Sequence, residues 1–389
     1  MATPKFVSLM YADDIEGGHY FAYNQALQRG VEHNGWQFRA WTNASKRLST
    51  LPDGWSYSLG HRTTRSGPFR RILSFFDLVA TQRKRLVELL RTTDSPIVLF
   101  SEWFQEFHLA SLVLTLLTCR LQKRVQLWVH FHFPFHRGGR MQKLLLEIAE
   151  NRLGKSAVQR FSINTILTKQ LSHFFRRPVH LLPMPLLDDW SAMENHRQLN
   201  DNKITLLWPG RSRIDKGRSV MQTLTGMRTP LAANFIFVVG NAKFMPTTGS
   251  AQIQSMGTQL PRRKYLRWFE SADAVILPYG SAEYKEICSS VFIEAVCAGI
   301  FPLVSSDTWM ARELQEAGLS ECIIDWQAPD VHEIIREVIR NADVTQKLTE
   351  MTKRYRIRHS TQNVGSVLDN IYSSCAQSTV VTNSAHKMR

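Results

Sequence analysis

Cysteine is scarce in this sequence. The 389 residues include five cysteines, which are scattered along the chain without a CxxC pair. An odd number of widely spaced thiols is not typical of a disulfide framework or of a structural zinc site. We therefore expect free thiols in a reducing compartment.

Long apolar runs and the common phosphate-binding fingerprints are also missing. No stretch reaches the roughly 18 uninterrupted apolar residues that a membrane-spanning helix needs. The N-terminal segment carries Asp13 and Asp14 where a signal peptide would need a longer apolar core. Neither a Walker A sequence nor a GxGxxG sequence occurs, which disfavours P-loop proteins and dinucleotide-dependent dehydrogenases. These absences predict a cytoplasmic protein of another class.

Acidic residues are fewer than basic residues. Lys and Arg total 48 against 33 Asp and Glu, which gives a net charge of +15. Much of the excess lies in the first half of the chain, at Arg62, Arg65, Arg70, Arg71, Arg83, Lys84, Arg85, Arg120, Lys123 and Arg124. Such a surface attracts nucleic acid, acidic lipid head groups or phosphorylated substrates. A solvated basic face without a partner is an equally good interpretation.

Short apolar runs alternate with helical patterns, which is typical of an α/β fold built on parallel sheets. The pattern predicts strands at 6–11, 37–41, 97–100, 126–131, 165–167, 179–182, 204–208, 235–239, 274–277, 301–304 and 322–324. It predicts helices that include 18–34, 75–91, 106–121 and a long segment at 343–374, broken near Thr361. Functional residues should follow the strands, because loops and helix N-termini converge at their carboxyl ends.

The length predicts two domains. We expect a first Rossmann-like domain at 1–187, a polar linker at 188–202 and a second Rossmann-like domain at 203–342. A C-terminal helical segment at 343–376 could cross back to the first domain. The polar tail at 377–389 is expected to be disordered.

A basic, glycine-bounded loop follows the predicted strand at 204–208. Gly210 and Arg211 open the loop, and Lys216 and Gly217 lead into a helix. Backbone N–H groups at a helix N-terminus, together with nearby cations, are suited to binding a diphosphate.

A second constellation follows the predicted strand at 274–277. Ser289 or Ser290 would cap a helix on which Val291 and its neighbours are apolar, yet Glu294 lies about one turn in. A buried carboxylate is costly unless it binds something, and the vicinal diol of a ribose is a natural partner. The alternative is that Glu294 pairs with a neighbouring Arg or Lys. Glu286 lies at the junction of loop and helix, where it could meet a sugar hydroxyl.

These two motifs resemble those of retaining GT-B glycosyltransferases, notably family four (glycosyltransferases group 1). The resemblance rests on the Glu-x7-Glu spacing of Glu286 and Glu294, on the following Gly299-Ile300-Phe301-Pro302, and on the loop from Gly210 to Gly217. It covers 204–324 well and implies two Rossmann-like domains that face each other across a cleft.

The resemblance also implies roles for the residues of the two motifs. Glu294 would bind the nucleotide ribose and Glu286 the donor sugar, while Arg211 and Lys216 would neutralise the diphosphate. The remaining donor-binding candidates are Gly17, Gly18, Gly210, Ser289, Ser290 and Val291. Gly17 and Gly18 follow the first strand, as does the family's glycine-rich acceptor-side loop.

A histidine-rich strand is the most conspicuous cluster of the first domain. Family members often place a functional His at the end of this strand, and either His130 or His132 could take that role, because period-2 alternation puts both on the same side. A zinc site that includes His136 is the less favoured alternative, since no carboxylate or Cys lies nearby in sequence. A further alternative is that this strand, which is rich in aromatic residues and histidine, has only a structural role.

The sequence therefore predicts a hexosyltransferase-type enzyme that transfers a sugar from a UDP-, GDP- or ADP-sugar to a hydroxyl acceptor with retention. The acceptor would be a glycan or lipid-linked glycan in polysaccharide biosynthesis. We expect no metal requirement, no nucleic-acid partner, and a cytoplasmic location with contact between the basic first domain and the inner face of an anionic membrane. The alternatives are a catalytically inactive GT-B scaffold that binds a sugar or polymer, and a nucleic-acid-binding protein.

Overall fold

The computed structural model divides the chain into two compact units. One comprises Met1–Leu187 with His359–Arg389, and the other comprises Asp188–Arg358. The residues described are 3–11, 19–43, 51–59, 68–102, 104–121, 124–134, 139–187, 190, 203–257 and 260–387, with the backbone alone for 19, 68–70 and 376–387. Among them, no helix is both long and apolar enough to cross a membrane.

The first unit contains a seven-stranded parallel sheet. Its strands are β1 (Lys5–Met10), β2 (Gln37–Thr42), β3 (Trp55–Tyr57), β4 (Ile97–Glu102), β5 (Val125–Phe131), β6 (Val158–Ser162) and β7 (His180–Leu181). Its helices are α1 (His19–His33), α2 (Pro68–Thr92), α3 (Glu106–Thr118), α4 (Gly139–Leu153), α5 (Thr165–Phe175) and α13 (Thr361–Lys387). The strand order is β3-β2-β1-β4-β5-β6-β7, so it reverses between β1 and β4.

The second unit contains a five-stranded parallel sheet. Its strands are β8 (Ile204–Trp208), β9 (Phe235–Val239), β10 (Gln252–Ser255), β11 (Ala274–Leu277) and β12 (Phe301–Val304). Its helices are α6 (Arg218–Gly226), α7 (Arg262–Glu270), α8 (Ser281–Tyr284), α9 (Ser290–Cys297), α10 (Trp309–Glu316), α11 (Val331–Arg340) and α12 (Ala342–Arg358). The order β10-β9-β8-β11-β12 reverses between β8 and β11.

Both strand orders belong to the doubly wound type, in which ligands bind outside the carboxyl ends of the strands at the point of reversal. The central strands β4 and β11 are buried along their whole length, as expected for parallel strands covered on both faces. The predicted α/β class with two parallel-sheet domains is confirmed.

Two of the predicted strands are wrong. Residues 165–167 form the first turn of α5, because the Asn164 side chain accepts a hydrogen bond from the Leu167 N–H at 2.9 Å and so caps a helix. The strand preceding that helix is β6, at Val158–Ser162. At 322–324 a short 3₁₀ turn is followed by a single bridge between Ile323 and Val304. The short strands β3 and β10 were not predicted.

The C-terminal segment forms two helices that lie in different units. The chain leaves the second unit after α12 and continues in the first unit as α13, with the break at His359 and Ser360. The backbone of α13 is helical as far as Lys387, whereas the sequence led us to expect disorder from residue 377. Of the expected linker, the structure describes Trp190. This residue is buried, with its carbonyl accepting a hydrogen bond from Arg356 of α12 at 2.9 Å.

Two glycines allow α1 and α13 to cross in the first unit. A Cβ on Gly30 would lie 2.4 Å from the Thr361 carbonyl oxygen, and one on Gly365 would lie 2.1 Å from the Gly30 carbonyl oxygen. Near this crossing, Trp36 Nε1 donates to Asp369 Oδ1 at 3.1 Å. The closeness of the two backbones thus requires glycine at both positions.

We predict that Gly30→Ala and Gly365→Ala each destabilise the first unit by about 1–3 kcal/mol, the usual cost of forcing a methyl group into a packed contact. Ser366→Ala, at an exposed position of the same helix, is the control. Chemical denaturation followed by circular dichroism measures the effect. Unchanged unfolding midpoints for both glycine variants would show that the two helices can separate at no cost.

Candidate functional site

The loops after β8 and β11 meet where the strand order of the second sheet reverses. We call residues 209–217 the first loop and residues 278–289, which include α8, the second loop. The first loop begins with Gly210 at φ +91°, a conformation that favours glycine. A Cβ on Gly240, after β9, would lie 1.7 Å from the Gly210 carbonyl oxygen, so a third strand end packs directly against the first loop.

Backbone contacts fix the first loop against the second. Gly217 caps α6 at φ +80°, and a Cβ there would lie 2.0 Å from the Pro278 carbonyl oxygen. The Gly280 N–H donates to the Asp215 carbonyl oxygen at 3.0 Å. The Trp208 indole N–H donates to the Lys216 carbonyl oxygen at 3.1 Å. These contacts determine where the Lys216 backbone lies at the edge of the sheet.

Lys216 carries a cation into the space between the two loops. Its Nζ lies 5.3 Å from the centroid of the Tyr279 ring. A Cβ on Gly210 would be 3.9 Å from the same nitrogen, so the side chain folds back over the start of the first loop. Burial, together with the nearby Arg213 guanidinium, lowers the pKa of Lys216. Within the described parts of the chain, no carboxylate forms an ion pair with it.

The two arginines of the first loop differ in their contacts. Arg213 forms an ion pair with Asp215 at 2.6 Å and donates to the Tyr284 hydroxyl at 3.3 Å. Arg211 is exposed and makes no ion pair with any residue described. The loop therefore presents two cations, Arg211 and Lys216, whose charge is available to an anion.

Helix α9 begins directly after the second loop. The Ser289 hydroxyl accepts a hydrogen bond from the Phe292 N–H at 3.3 Å, which makes it the N-cap. Ser290 and Val291 form the first turn, where backbone N–H groups have no acceptor within the helix and the dipole is positive. Glu286 lies half-buried in the second loop, between α8 and α9.

Both carboxylate oxygens of Glu294 contact side chains of the second unit. One carboxylate oxygen, Oε1, lies 2.8 Å from Arg262 Nη1, and the other, Oε2, accepts a hydrogen bond from the Tyr265 hydroxyl at 2.7 Å. Its side chain is 8% exposed. The structure thus realises the alternative of a pairing with Arg, although the partner lies on α7. A carboxylate has further lone pairs, so a ribose contact stays a prediction.

Arg262 and Tyr265 were not singled out from the sequence. The Arg262 guanidinium lies 5.0 Å from the centroid of the Tyr265 ring and 5.6 Å from that of the Trp190 ring. The signal for some such partner was present, because a carboxylate on an apolar helix needs a cation or donor. The identity of the partner could not be predicted, because α7 precedes β11 in the chain and only the fold brings it near α9.

In the first unit, His130 and His132 lie together at the end of β5. Both are buried, with ring centroids 4.3 Å apart. His130 Nδ1 is 3.0 Å from the Tyr23 hydroxyl oxygen. Burial lowers the pKa of His130 to about 3, so the ring is neutral at physiological pH. Gly17, Gly18 and His136 lie outside the described residues.

A buried carboxylate that was not singled out from the sequence accompanies these histidines. Glu102 ends β4, and the parallel pairing of β4 with β5 sets it opposite His130. Its Oε2 lies 4.0 Å from His132 Nε2. Asn24 donates to its Oε1, and Ser8 in turn donates to Asn24 Oδ1 at 2.6 Å. Glu102 is far from the histidines in sequence, which is why their shared neighbourhood was not anticipated.

Neither a protein-family model nor a curated protein sequence matches the chain. Solved structures do match it over nearly its whole length. An α,α-trehalose 6-phosphate synthase from Burkholderia multivorans has a TM-score of 0.65 at 10% identity, with 98% of this chain and 99% of that chain covered. The N-terminal domain of a Candida albicans trehalose-6-phosphate phosphatase has a TM-score of 0.61 at 12% identity, with 95% and 96% covered.

An α-glucosyltransferase in complex with UDP and a 13-mer DNA that contains an HMU base matches with a TM-score of 0.53 at 12% identity, with 96% of this chain and 99% of that chain covered. Identities this low establish the fold and leave the activity to be argued from the site. The two reversed parallel sheets and these structural matches together show that the chain has the GT-B fold of glycosyltransferases.

Proposed function

We propose that the protein is a glycosyltransferase that transfers a sugar from a nucleoside diphosphate sugar to a hydroxyl acceptor. The observation that carries this proposal is Lys216, a partly buried cation that two interlocked loops hold at the reversal point of the second sheet. It forms no ion pair with a carboxylate among the described residues, and its neighbour Asp215 is paired with Arg213. Keeping such a cation partly desolvated costs free energy, which an anionic ligand would offset.

A diphosphate matches the other groups at this edge of the sheet. Arg211 adds a second available cation, and the first turn of α9 adds N–H groups and the positive end of a helix dipole. In a sugar transfer, the bond between the anomeric carbon and the diphosphate oxygen breaks while negative charge grows on the leaving group. Fixed cations and N–H groups aimed at that charge stabilise the transition state.

We assign the remaining roles on the resemblance of the two motifs to the family. Glu286 would contact the donor sugar, and Glu294 would accept ribose hydroxyls while Arg262 and Tyr265 hold its carboxylate in place. The acceptor hydroxyl would attack from the face that the diphosphate leaves, and its proton would pass to a leaving-group oxygen. The product would then retain the anomeric configuration, with no metal ion at the diphosphate. The roles of His130 and His132 toward the sugar stay predictions.

The donor is identified by titrating the protein with a panel of UDP-, GDP- and ADP-sugars. We expect at least one to raise the thermal unfolding midpoint and to be consumed, with retention visible in the NMR couplings of the product's anomeric proton. A donor that binds but is neither transferred nor slowly hydrolysed would favour the inactive binding scaffold. No response to any sugar nucleotide would overturn the proposal.

Removing either available cation should lower turnover with the identified donor. We expect Lys216→Ala and Arg211→Ala to reduce kcat by about 10²–10³-fold, as when one electrostatic partner of a transition state is lost. Arg263→Ala, which removes the same charge from α7, is the matched control and should stay near wild type. Near-normal kcat in both loop variants would remove the diphosphate assignment.

The lowered pKa of Lys216 predicts how nucleotide affinity depends on pH. The side chain is charged below its pKa in the folded protein and becomes neutral as pH rises through that value, earlier than an ordinary lysine would. Nucleoside diphosphate affinity should therefore weaken toward alkaline pH. In Lys216→Arg the cation persists, so the decline should disappear.

Calorimetric titrations of both proteins over the same pH series test this expectation. The titration of the nucleotide itself is common to the two proteins and cancels in the comparison. Parallel pH profiles for the wild type and Lys216→Arg would mean that Lys216 does not contact the ligand.

For the acceptor, we propose a glycan or lipid-linked glycan reached from an anionic membrane surface on the cytoplasmic side, as in polysaccharide biosynthesis. The support comes from α2, which exposes Ile72, Leu73 and Phe76 at 54%, 55% and 58% of their surface. Exposed cations on the same helix are Arg71, Arg83, Lys84 and Arg91. Apolar side chains beside cations are typical of helices that lie in an anionic interface.

Flotation with liposomes tests the membrane contact. We expect binding to vesicles that contain acidic lipid, and its loss in a variant with Ile72, Leu73 and Phe76 replaced by Ser. Leu117→Ser, on α3 and 46% exposed, is the control.

Because one structural match is a complex with DNA, DNA belongs in the panel of acceptors that is tested with the identified donor. Transfer to DNA in preference to glycans would overturn this acceptor proposal and leave the donor-site proposal unchanged.

A further inference from the structure

The end of β5 and the end of β4 form a buried cluster of groups that can ligate a metal. Glu102, His130 and His132 each offer a ligand atom, and these three atoms lie within 4.8 Å of one another. All three side chains are nearly inaccessible, with residue exposures of 2%, 1% and 4%. The sequence alone disfavours a histidine metal site for want of a nearby carboxylate, and the pairing of β4 with β5 supplies that carboxylate.

We propose that Glu102, His130 and His132 bind one divalent first-row transition-metal ion. Two imidazoles and one carboxylate are a ligand set that suits Zn²⁺ and Fe²⁺, whereas Mg²⁺ and Ca²⁺ prefer oxygen ligands alone. Glu102 and His130 lie opposite each other on two hydrogen-bonded strands, and His132 directly follows β5, so the fold already holds the three ligand atoms close together.

The surroundings of His130 fit this role. Metal-bound histidines almost always donate their second ring N–H to an oxygen, which fixes the tautomer and the ring orientation. Here the Tyr23 hydroxyl oxygen lies 3.0 Å from Nδ1 and can accept that hydrogen bond. Nε2 would then present its lone pair. This nitrogen is buried without a hydrogen bond of ordinary length and angle to a described residue, while the Leu182 backbone also interacts with the His130 ring. A metal ion would satisfy its lone pair.

Glu102 is oriented in a comparable way. The Asn24 amide donates to Oε1, and the Ser8 hydroxyl fixes the Asn24 amide by donating to its oxygen. The other carboxylate oxygen, Oε2, is the one on the side of His132, at 4.0 Å from Nε2. Ser8, Asn24 and Glu102 thus form a chain of hydrogen bonds that ends at the proposed ion.

The proposed metal ligands lie in the first unit, whereas the residues proposed to bind the diphosphate and the ribose lie in the second. The two proposals share only the predicted roles of His130 and His132 toward the donor sugar. Failure of metal binding would leave the nucleotide titrations unaffected, and failure of nucleotide binding would leave the metal analysis unaffected.

The test is a metal analysis of the full-length protein expressed in medium supplemented with Zn²⁺, Fe²⁺ or Mn²⁺ and purified without chelators. We expect about one tightly held ion per chain by mass spectrometry. In addition, Co²⁺ loaded into chelator-treated protein should give visible d–d absorption bands. Glu102→Gln and His132→Gln should each lose the stoichiometric ion and the Co²⁺ spectrum. His332→Gln replaces a histidine that is equally buried in the second unit and should change neither.

Circular dichroism shows whether each variant is folded. If Glu102→Gln or His132→Gln does not fold, the test rests on the wild-type protein. Adding one equivalent of Zn²⁺ to the chelator-treated wild type should then raise its thermal unfolding midpoint. Wild-type protein without a stoichiometric ion and without this rise overturns the proposal. Folded Glu102→Gln and His132→Gln proteins that keep the ion overturn it as well.

Discussion

The close approach of the loops after β8 and β11 is the constraint on which the candidate site depends. Gly217 lies so near the Pro278 carbonyl that a side chain is excluded, and the Asp215 carbonyl accepts a hydrogen bond from the Gly280 N–H. Lys216, between these anchored positions, has little freedom to move its backbone. The fold thus fixes the backbone that carries this side chain, and the proposed electrostatic role of the cation would use that preorganisation.

Each unit collects polar groups at the carboxyl ends of its central strands. In the second unit these are cations and helix N–H groups, which favour an anion. In the first unit they are Glu102 and two histidines, which favour a cation. The same topology produces both, since parallel strands deliver the loops and helix N-termini to one edge of each sheet. The chemistry of each edge is set by a few side chains.

Features that depend on contiguous residues could be predicted from the sequence. The apolar runs of β8, β9, β11 and β12 and the loop from Gly210 to Gly217 were recognised because their signals are local. Residues 165–167 were misassigned because Thr165 and Ile166 are β-branched and resemble a strand, while the decisive feature is the capping hydrogen bond to Asn164.

Parts of the sites that join distant segments could not be predicted. Glu102 reaches the histidines through the pairing of β4 with β5, and Glu294 of α9 meets Arg262 and Tyr265 of α7 through an ion pair and a hydrogen bond. No spacing in the sequence records either contact, because both depend on which elements the fold brings together.

A structure of the protein with a nucleoside diphosphate bound tests the central claim most directly. We predict density for the diphosphate within hydrogen-bonding distance of Lys216 Nζ and of the N–H groups that begin α9, with the ribose toward Glu294. A nucleotide bound elsewhere on the chain, with Lys216 still lying against the Tyr279 ring and no phosphate near it, would contradict the assignment of this edge of the sheet as the donor site.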